Sequence, residues 1–149
     1  MTSMPLQVMV FIIGMSSRKI DHALHNEEAC LFIDSSRRFP DWVVITAFYS
    51  ALHFVDVKLF PDRYPIPNGR TKIFFSLDDY YQRMTKVQRR SRHDLRLQLT
   101  KDNLREIGSL YECLLHQSFT FRYETFDADQ SDADTAIRSL EAIKSFCLN

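Results

Sequence analysis

Apolar side chains recur along this chain at three- and four-residue intervals, the spacing that lines one face of a helix, and runs of strict alternation are few. The period predicts a first helix from about Arg18 to Arg38, with Ile20, Ala23, Leu24, Cys30 and Leu31 on one face and Glu27 in the middle of that face. Phe39-Pro40 breaks the chain, and Asp41 is the expected N-cap of the next helix, because its carboxylate can accept the free amide protons of the first turn. In that second helix, DWVVITAFYSALHFVDVKLF, apolar residues cover the whole circumference, the pattern of a central, buried helix. A polar edge runs along it nonetheless: at about 100° per residue, Tyr49, His53 and Asp56 share a face with Trp42, Ile45 and Leu52. His53, Asp56 and Lys58 argue against a membrane span, since ionisable groups are costly in lipid.

The stretch PDRYPIPNGR, with three prolines and a glycine, is expected to be a loop. Ser76 to Asp79 resembles a capping box, and Leu77, Tyr80, Tyr81, Met84 and Val87 mark a short amphipathic helix behind it. A brief helical turn from Ser91 to Leu99 leads to Thr100-Lys101-Asp102, a start signal for a helix that continues to about Tyr123. That helix turns Leu104, Ile107, Tyr111, Leu114, Leu115, Ser118 and Phe119 inward. Arg122 falls on the same inward line, an unusual place for an arginine. Ser131 with Asp134 is expected to cap a last helix whose Ala133, Ile137, Leu140, Ile143 and Cys147 lie on one side. Together these elements predict an all-α fold, an antiparallel four-to-five-helix bundle forming one domain over residues 15–149. Residues 1–14 form an apolar N-terminal extension, either an upstream-start artefact or a strand or arm packed on the surface.

Composition adjusts this picture in three places. With 149 residues the chain is the usual size of one domain, and its 3 glycines and 5 prolines favour helices over strands. The 19 basic and 19 acidic side chains balance, so a globally basic nucleic-acid binder is not indicated, but they are unevenly spread. Arg83, Lys86, Arg89, Arg90, Arg92, Arg96, Lys101 and Arg105 face only Asp94 and Asp102, while Glu124, Asp127, Asp129, Asp132 and Asp134 cluster with no base between them. Either run is a solvated surface, or the basic one is a site for an anionic partner. Cys30, Cys113 and Cys147 lack paired spacing, which fits a reduced, cytoplasmic setting. The opening MTSMPLQVMVFIIGM is too short to span a membrane and has no basic residue before its apolar run.

Established catalytic patterns are absent from the sequence: no Gly-rich phosphate loop, HExxH, CxxC, H-x-E paired with P-C-x-x-C, or nucleophile elbow. No cofactor and no metal are expected. What remains is a set of inward polar groups, Glu27, Tyr49, His53, Asp56 and Arg122, which should find one another, because a charge buried without a partner is expensive. They form either a structural network that fixes helix register or a polar pocket beside the basic segment. In the second case His93 of SRHDLR is its titratable member, flanked by Arg92 and Arg96, which could hold a phosphate.

DWVVITAFYSALHFVDVKLF, SRHDLR and LLHQSFTFRYE together resemble the small bacterial HEPN-domain proteins (higher eukaryotes and prokaryotes nucleotide-binding), over about residues 20–124 with an insertion around Asn68 to Arg90. The resemblance implies a helical bundle that dimerises, in a superfamily rich in RNA-cleaving toxins and phage-defence components. Many members pair with a nucleotidyltransferase-like partner protein. The superfamily's RNases carry Arg, four to six residues, then His in a late helix near the dimer interface, and cut RNA without metal. The late helices here depart from that pattern: Arg105 and His116 are too far apart, and no histidine follows Arg138. Arg18 and His25 have the spacing, and share a face with His22, but lie at the start of the first helix, out of context.

For the residues, the resemblance implies that Tyr49 and His53 face the SRHDLR segment and the helix ending in Arg122-Tyr123, so that Tyr49, His53, Asp56, His93, Arg96 and Arg122 form one network. The expected function is RNA binding or metal-independent RNA cleavage by a cytoplasmic homodimer in a toxin-antitoxin or phage-defence setting. His93, Arg96 and Arg122 are then the catalytic candidates, Glu27, Tyr49, His53, Asp56 and Tyr123 line the network or pocket, and Arg89, Arg90 and Arg92 contact RNA. The alternative is a non-catalytic helical module that binds a partner protein and uses its polar network structurally, which the missing late Arg-His pair favours.

Overall fold

The structure is a computed structural model that describes residues 4–84 and 90–149. The described chain runs α1 (Leu6–Ser35), α2 (Pro40–Leu59), β1 (Asp62–Pro65), β2 (Thr71–Phe74), α3 (Leu77–Met84), α4 (Arg92–Asn103), α5 (Arg105–Tyr123) and α6 (Gln130–Leu148). It is all-α apart from one small hairpin.

Cross-helix hydrogen bonds fix the directions. Ser50 Oγ donates to the Ala23 carbonyl at 2.7 Å and Cys30 Sγ to the Val43 carbonyl at 3.4 Å, so numbers rise along α1 as they fall along α2 and the two are antiparallel. Gln130 on Asp34 and Lys144 on Glu27 show the same inverse order between α1 and α6. α2 is the central element and packs against α1, α5 and α6. Its apolar circumference is what such a position requires: Val43, Val44, Ala47, Phe48, Ala51, Phe54 and Val55 are all at most 1% exposed. Each of the larger ones contributes about 1.5–3 kcal/mol by leaving water. By length and composition α2 could cross a membrane, with mean hydropathy 1.3 over its most apolar 18 residues, yet 67% of that window is buried inside the bundle. Trp42, expected on the packed face, is instead 52% exposed at the first turn.

Several element boundaries differ from expectation for identifiable reasons. α1 begins at Leu6 rather than near Arg18, so residues 6–14 are its first turns and not a strand or surface-packed arm. An unbroken apolar run has no polar phase from which a helix period can be read. Leu6, Val10, Phe11 and Ile13 there are mostly exposed, and Leu24 and Leu31 further along are 39% and 48% exposed. α2 starts with Pro40 in its first turn, and Asp41 is not its cap.

The expected loop is a hairpin, with Asp62 opposite Phe74 and Pro65 opposite Thr71. Its turn closes through the Ile66 amide on the Arg70 carbonyl and uses Gly69 at φ 80°, a conformation open to glycine. Buried Tyr64 and Phe74 anchor the hairpin against Tyr80 of α3. Ser76 caps α3 by accepting from the Asp79 amide, and Val87, read as part of that helix, lies outside the described residues.

α4 runs well past Leu99. Thr100, taken as a start signal, is buried within it and donates its hydroxyl to the Arg96 carbonyl at 2.7 Å. The break falls at Leu104, and Gly108 lets α5 approach α4 closely, since a Cβ there would meet the Lys101 Cα at 3.3 Å. α6 is capped by a reciprocal pair, Asp129 and Asp132, rather than by Ser131 and Asp134.

Candidate functional site

α4 separates two concavities, and its first turn carries SRHDLR. Ser91 caps it, accepting from the Asp94 amide at 3.0 Å and donating to the Asp94 carboxylate at 2.7 Å. Residues four apart share one side of a helix. Arg92 and Arg96 therefore line one concavity, while His93 and Leu97 line the other.

The second of these is a groove of about 660 Å³ between α2, α4 and α5, into which Tyr49, His93, His116, Phe119, Arg122 and Tyr123 project. His93 is half-buried with its ring 5.8 Å from Phe48. Burial holds its pKa below the ordinary value, the Arg96 and Arg122 cations add to that, and Asp94 opposes them. The imidazole is accordingly neutral near pH 7, and its buried Nδ1 has no hydrogen-bond partner among the described residues. Arg122, in the last turn of α5, donates one guanidinium N–H to the Tyr49 hydroxyl. Its guanidinium carbon lies 5.5 Å from the Tyr49 ring and 4.6 Å from the Tyr123 ring, and its buried Nε also lacks a partner. A neutral imidazole can accept a proton, a guanidinium can hold a phosphate, and the exposed rings of Phe119 and Tyr123 offer faces for stacking.

Asp56 and Arg96 form a buried pair at the wall of the first concavity. Arg96 Nε donates to one Asp56 oxygen at 2.7 Å and an Nη to the other at 3.2 Å, with both side chains at most 12% exposed. The fully buried Tyr111 stands beside them and is coupled to both charges. Arg96 is thus held by Asp56 and does not line the groove of His93 and Arg122. His53 turns away from that groove too. Its ring stacks on His22 of α1 at 3.8 Å and 25°, in a pocket of about 340 Å³ on the other side of α4. Burial, then the neighbouring His22, lowers the His53 pKa to about 4.

The single network expected from sequence is therefore divided across α4: Tyr49 with Arg122 and His93 on one side, and the Asp56–Arg96 pair with His53 and His22 on the other. Glu27 joins neither; it takes Lys144 of α6 at 2.8 Å on another face of α1. Arg92 is exposed, paired with Asp78 at 2.5 Å and set over the Tyr81 ring at 4.7 Å. Arg90 is exposed, and Arg89 lies outside the described residues. Arg18 shares its pocket with His22, not with His25, which lines a separate shallow surface with Phe32. His22 and Lys144 were not singled out as partners from sequence, because each becomes one only through register between distant helices. His116 could have been: it lies one turn from Phe119 and two from Tyr123 on the helix that carries Arg122.

Fold and site together define an all-α bundle with an aromatic, cationic groove beside a buried ion pair. No family model, curated protein or solved structure matches this chain.

Proposed function

We propose that this protein is a HEPN-like helical bundle that binds single-stranded RNA in the groove between α2, α4 and α5. One observation carries this: His93 and Arg122, each with a buried nitrogen that has no partner among the described residues, line the same groove between aromatic rings. A buried polar atom without a partner is rare, and a phosphate with its adjoining ribose supplies acceptors and a hydroxyl donor for both. Tyr123 and Phe119 stack the bases, which needs no particular sequence. In that role the protein is a cytoplasmic homodimer, in a toxin-antitoxin or phage-defence setting, with a nucleotidyltransferase-like protein as partner.

The same groups suit transfer of the ribose 2′-hydroxyl onto the adjacent phosphate. His93 accepts the 2′-hydroxyl proton as the O2′–P bond forms, Arg122 balances the phosphorane charge, and the P–O5′ bond breaks with His116 delivering a proton to O5′. The test is a labelled mixed RNA pool incubated with protein in EDTA, with binding measured across a salt series. Binding is expected to weaken with salt by about 0.7 in log–log slope per phosphate contacted. Arg122→Gln weakens it, and His93→Ala abolishes cleavage while the circular dichroism spectrum stays that of the wild type. Absence of binding at low salt overturns the proposal.

One observation favours a non-catalytic interaction module instead. Leu6, Val10, Phe11, Ile13 and Phe32 expose apolar surface along α1, a pattern of protein–protein contact. RNA-independent association that is insensitive to salt marks that outcome.

A further inference from the structure

The pocket across α4 from the groove has its own chemistry and shares no lining residue with it among the described residues. α1 contributes Arg18, Lys19 and His22; α2 contributes His53 and Asp56; the start of α3 contributes Ser76, Leu77 and Asp78; α4 contributes Arg92 and Arg96. Four cations thus face two carboxylates, and both carboxylates are already engaged, Asp56 by Arg96 and Asp78 by Arg92. Arg18 and Lys19 make no salt bridge among the described residues, and Lys19 stands 5.8 Å from the Phe60 ring. Among these cations two imidazoles lie face to face at 3.8 Å, a contact that two protonated rings would oppose. The side chains of the pocket are therefore short of negative charge by two.

We propose that this pocket binds a phosphomonoester dianion, held by Arg18, Lys19 and the His22–His53 pair. A dianion matches the two uncompensated cations, and its oxygens accept from the imidazole N–H groups. The volume of about 340 Å³ lies at the small end of ligand sites, suited to a small molecule or a chain end rather than a length of strand. Binding is linked to proton uptake. Burial, His22, Arg96 and Lys19 hold His53 deprotonated, with Asp56 opposing, and Arg18, Arg92 and Asp78 complete the charges around the pair. A bound dianion offsets the cations and lets one imidazole take a proton, so affinity rises as pH falls.

Sulfate is the first probe, because it stays a dianion across the range used. Calorimetric titration is expected to give about threefold tighter binding near pH 4.5 than near pH 8, the part of the tenfold limit of a one-unit rise that is reached just above a His53 pKa of about 4. Equal affinity at both pH values, or no binding at millimolar sulfate, overturns the proposal. Arg18→Gln and His22→Gln, at exposed positions on α1, each remove sulfate binding with the helical spectrum intact; undiminished binding in both overturns it. His93→Ala leaves sulfate binding unchanged, which separates this pocket from the RNA groove. Adenosine 5′-monophosphate and a 5′-phosphorylated oligoribonucleotide then compete for sulfate. Competition by the nucleotide alone identifies a free phosphomonoester, and competition by both identifies an RNA 5′ end as well. Equal competition by a 5′-hydroxyl oligoribonucleotide refutes the monoester assignment.

Discussion

Replacing Asp56 by alanine is expected to be among the costliest single changes in this protein. Its carboxylate and the Arg96 guanidinium are 12% and 9% exposed and joined by two N–H···O bonds of 2.7 and 3.2 Å. At an effective dielectric near 20, unit charges about 4 Å apart attract by about 4 kcal/mol. Removing one partner of such a pair costs about 3–5 kcal/mol, mostly the penalty of a buried charge left alone. Asp56→Ala leaves Arg96 against Tyr111 with no counter-charge, so about 3–5 kcal/mol is the expected loss. Replacing both by apolar residues of similar volume, Asp56→Leu with Arg96→Met, restores most of it, because an apolar pair needs no compensation. Urea unfolding followed by circular dichroism and by fluorescence of Trp42, the single tryptophan, measures Asp56→Ala and the four corners of the cycle formed by wild type, Asp56→Leu, Arg96→Met and the double variant. A cost below about 1 kcal/mol for Asp56→Ala, or a coupling within about 0.5 kcal/mol of zero, would refute the buried-pair argument.

Four further outcomes are expected. His53 titrates near 6.5 ordinarily and near 4 in the fold, so the unfolded chain takes the proton first. Its contribution is full above pH 6.5 and disappears as pH falls toward 4, and His53→Gln flattens the stability–pH curve in that window; parallel curves would show His53 to be uninvolved. Burial raises the Cys30 and Cys147 thiols to about 11 and about 12, while Cys113 is exposed, so a disulfide reagent modifies one thiol rapidly and Cys113→Ser removes that phase. Phe48→Ala, at a fully buried ring in contact with Tyr49, His93 and Tyr111, costs about 3–5 kcal/mol in chemical denaturation. Lys144→Ala costs about 1 kcal/mol in chemical denaturation, since Lys144 is 34% exposed and water takes its place beside Glu27.

How much of this was legible in the sequence depended on whether a signal was local. The burial of α2 was readable because apolar residues on every side of a helix leave it nowhere to lie but the centre. The inward positions of Tyr111, Leu114 and Ser118 followed from period alone. The hairpin was not legible: three prolines outweigh two four-residue strands in any local count, and pairing between Asp62 and Phe74 is decided by how Tyr64 and Phe74 pack on Tyr80. Caps were misplaced by one or two residues where several polar side chains compete, as between Asp129 and Ser131. For the site, sequence identified Tyr49, His93 and Arg122, which the fold brings to one groove. It wrongly joined His53 and Asp56 to them, because a shared helix edge sets direction but not which neighbour is met further along. His53 and Tyr49 are four residues apart, one turn, and at that distance α1 replaces α5 as the facing helix.

The buried pair ties the two sides of α4 together. The Arg96 cation acts on His93 in the groove and on His53 in the pocket, in both cases disfavouring protonation. Asp56 makes that cation tolerable in the interior and fixes where it lies. The choice between a register device and a chemical one, open while the polar edge of α2 was known only as a pattern, is therefore not exclusive. The ion pair locks α4 against α2, and by doing so it fixes a cation that adds to the burial holding His93 neutral as a proton acceptor in the proposed RNA groove, while at His53, which burial and His22 hold neutral in the proposed phosphate pocket, Asp56 opposes it.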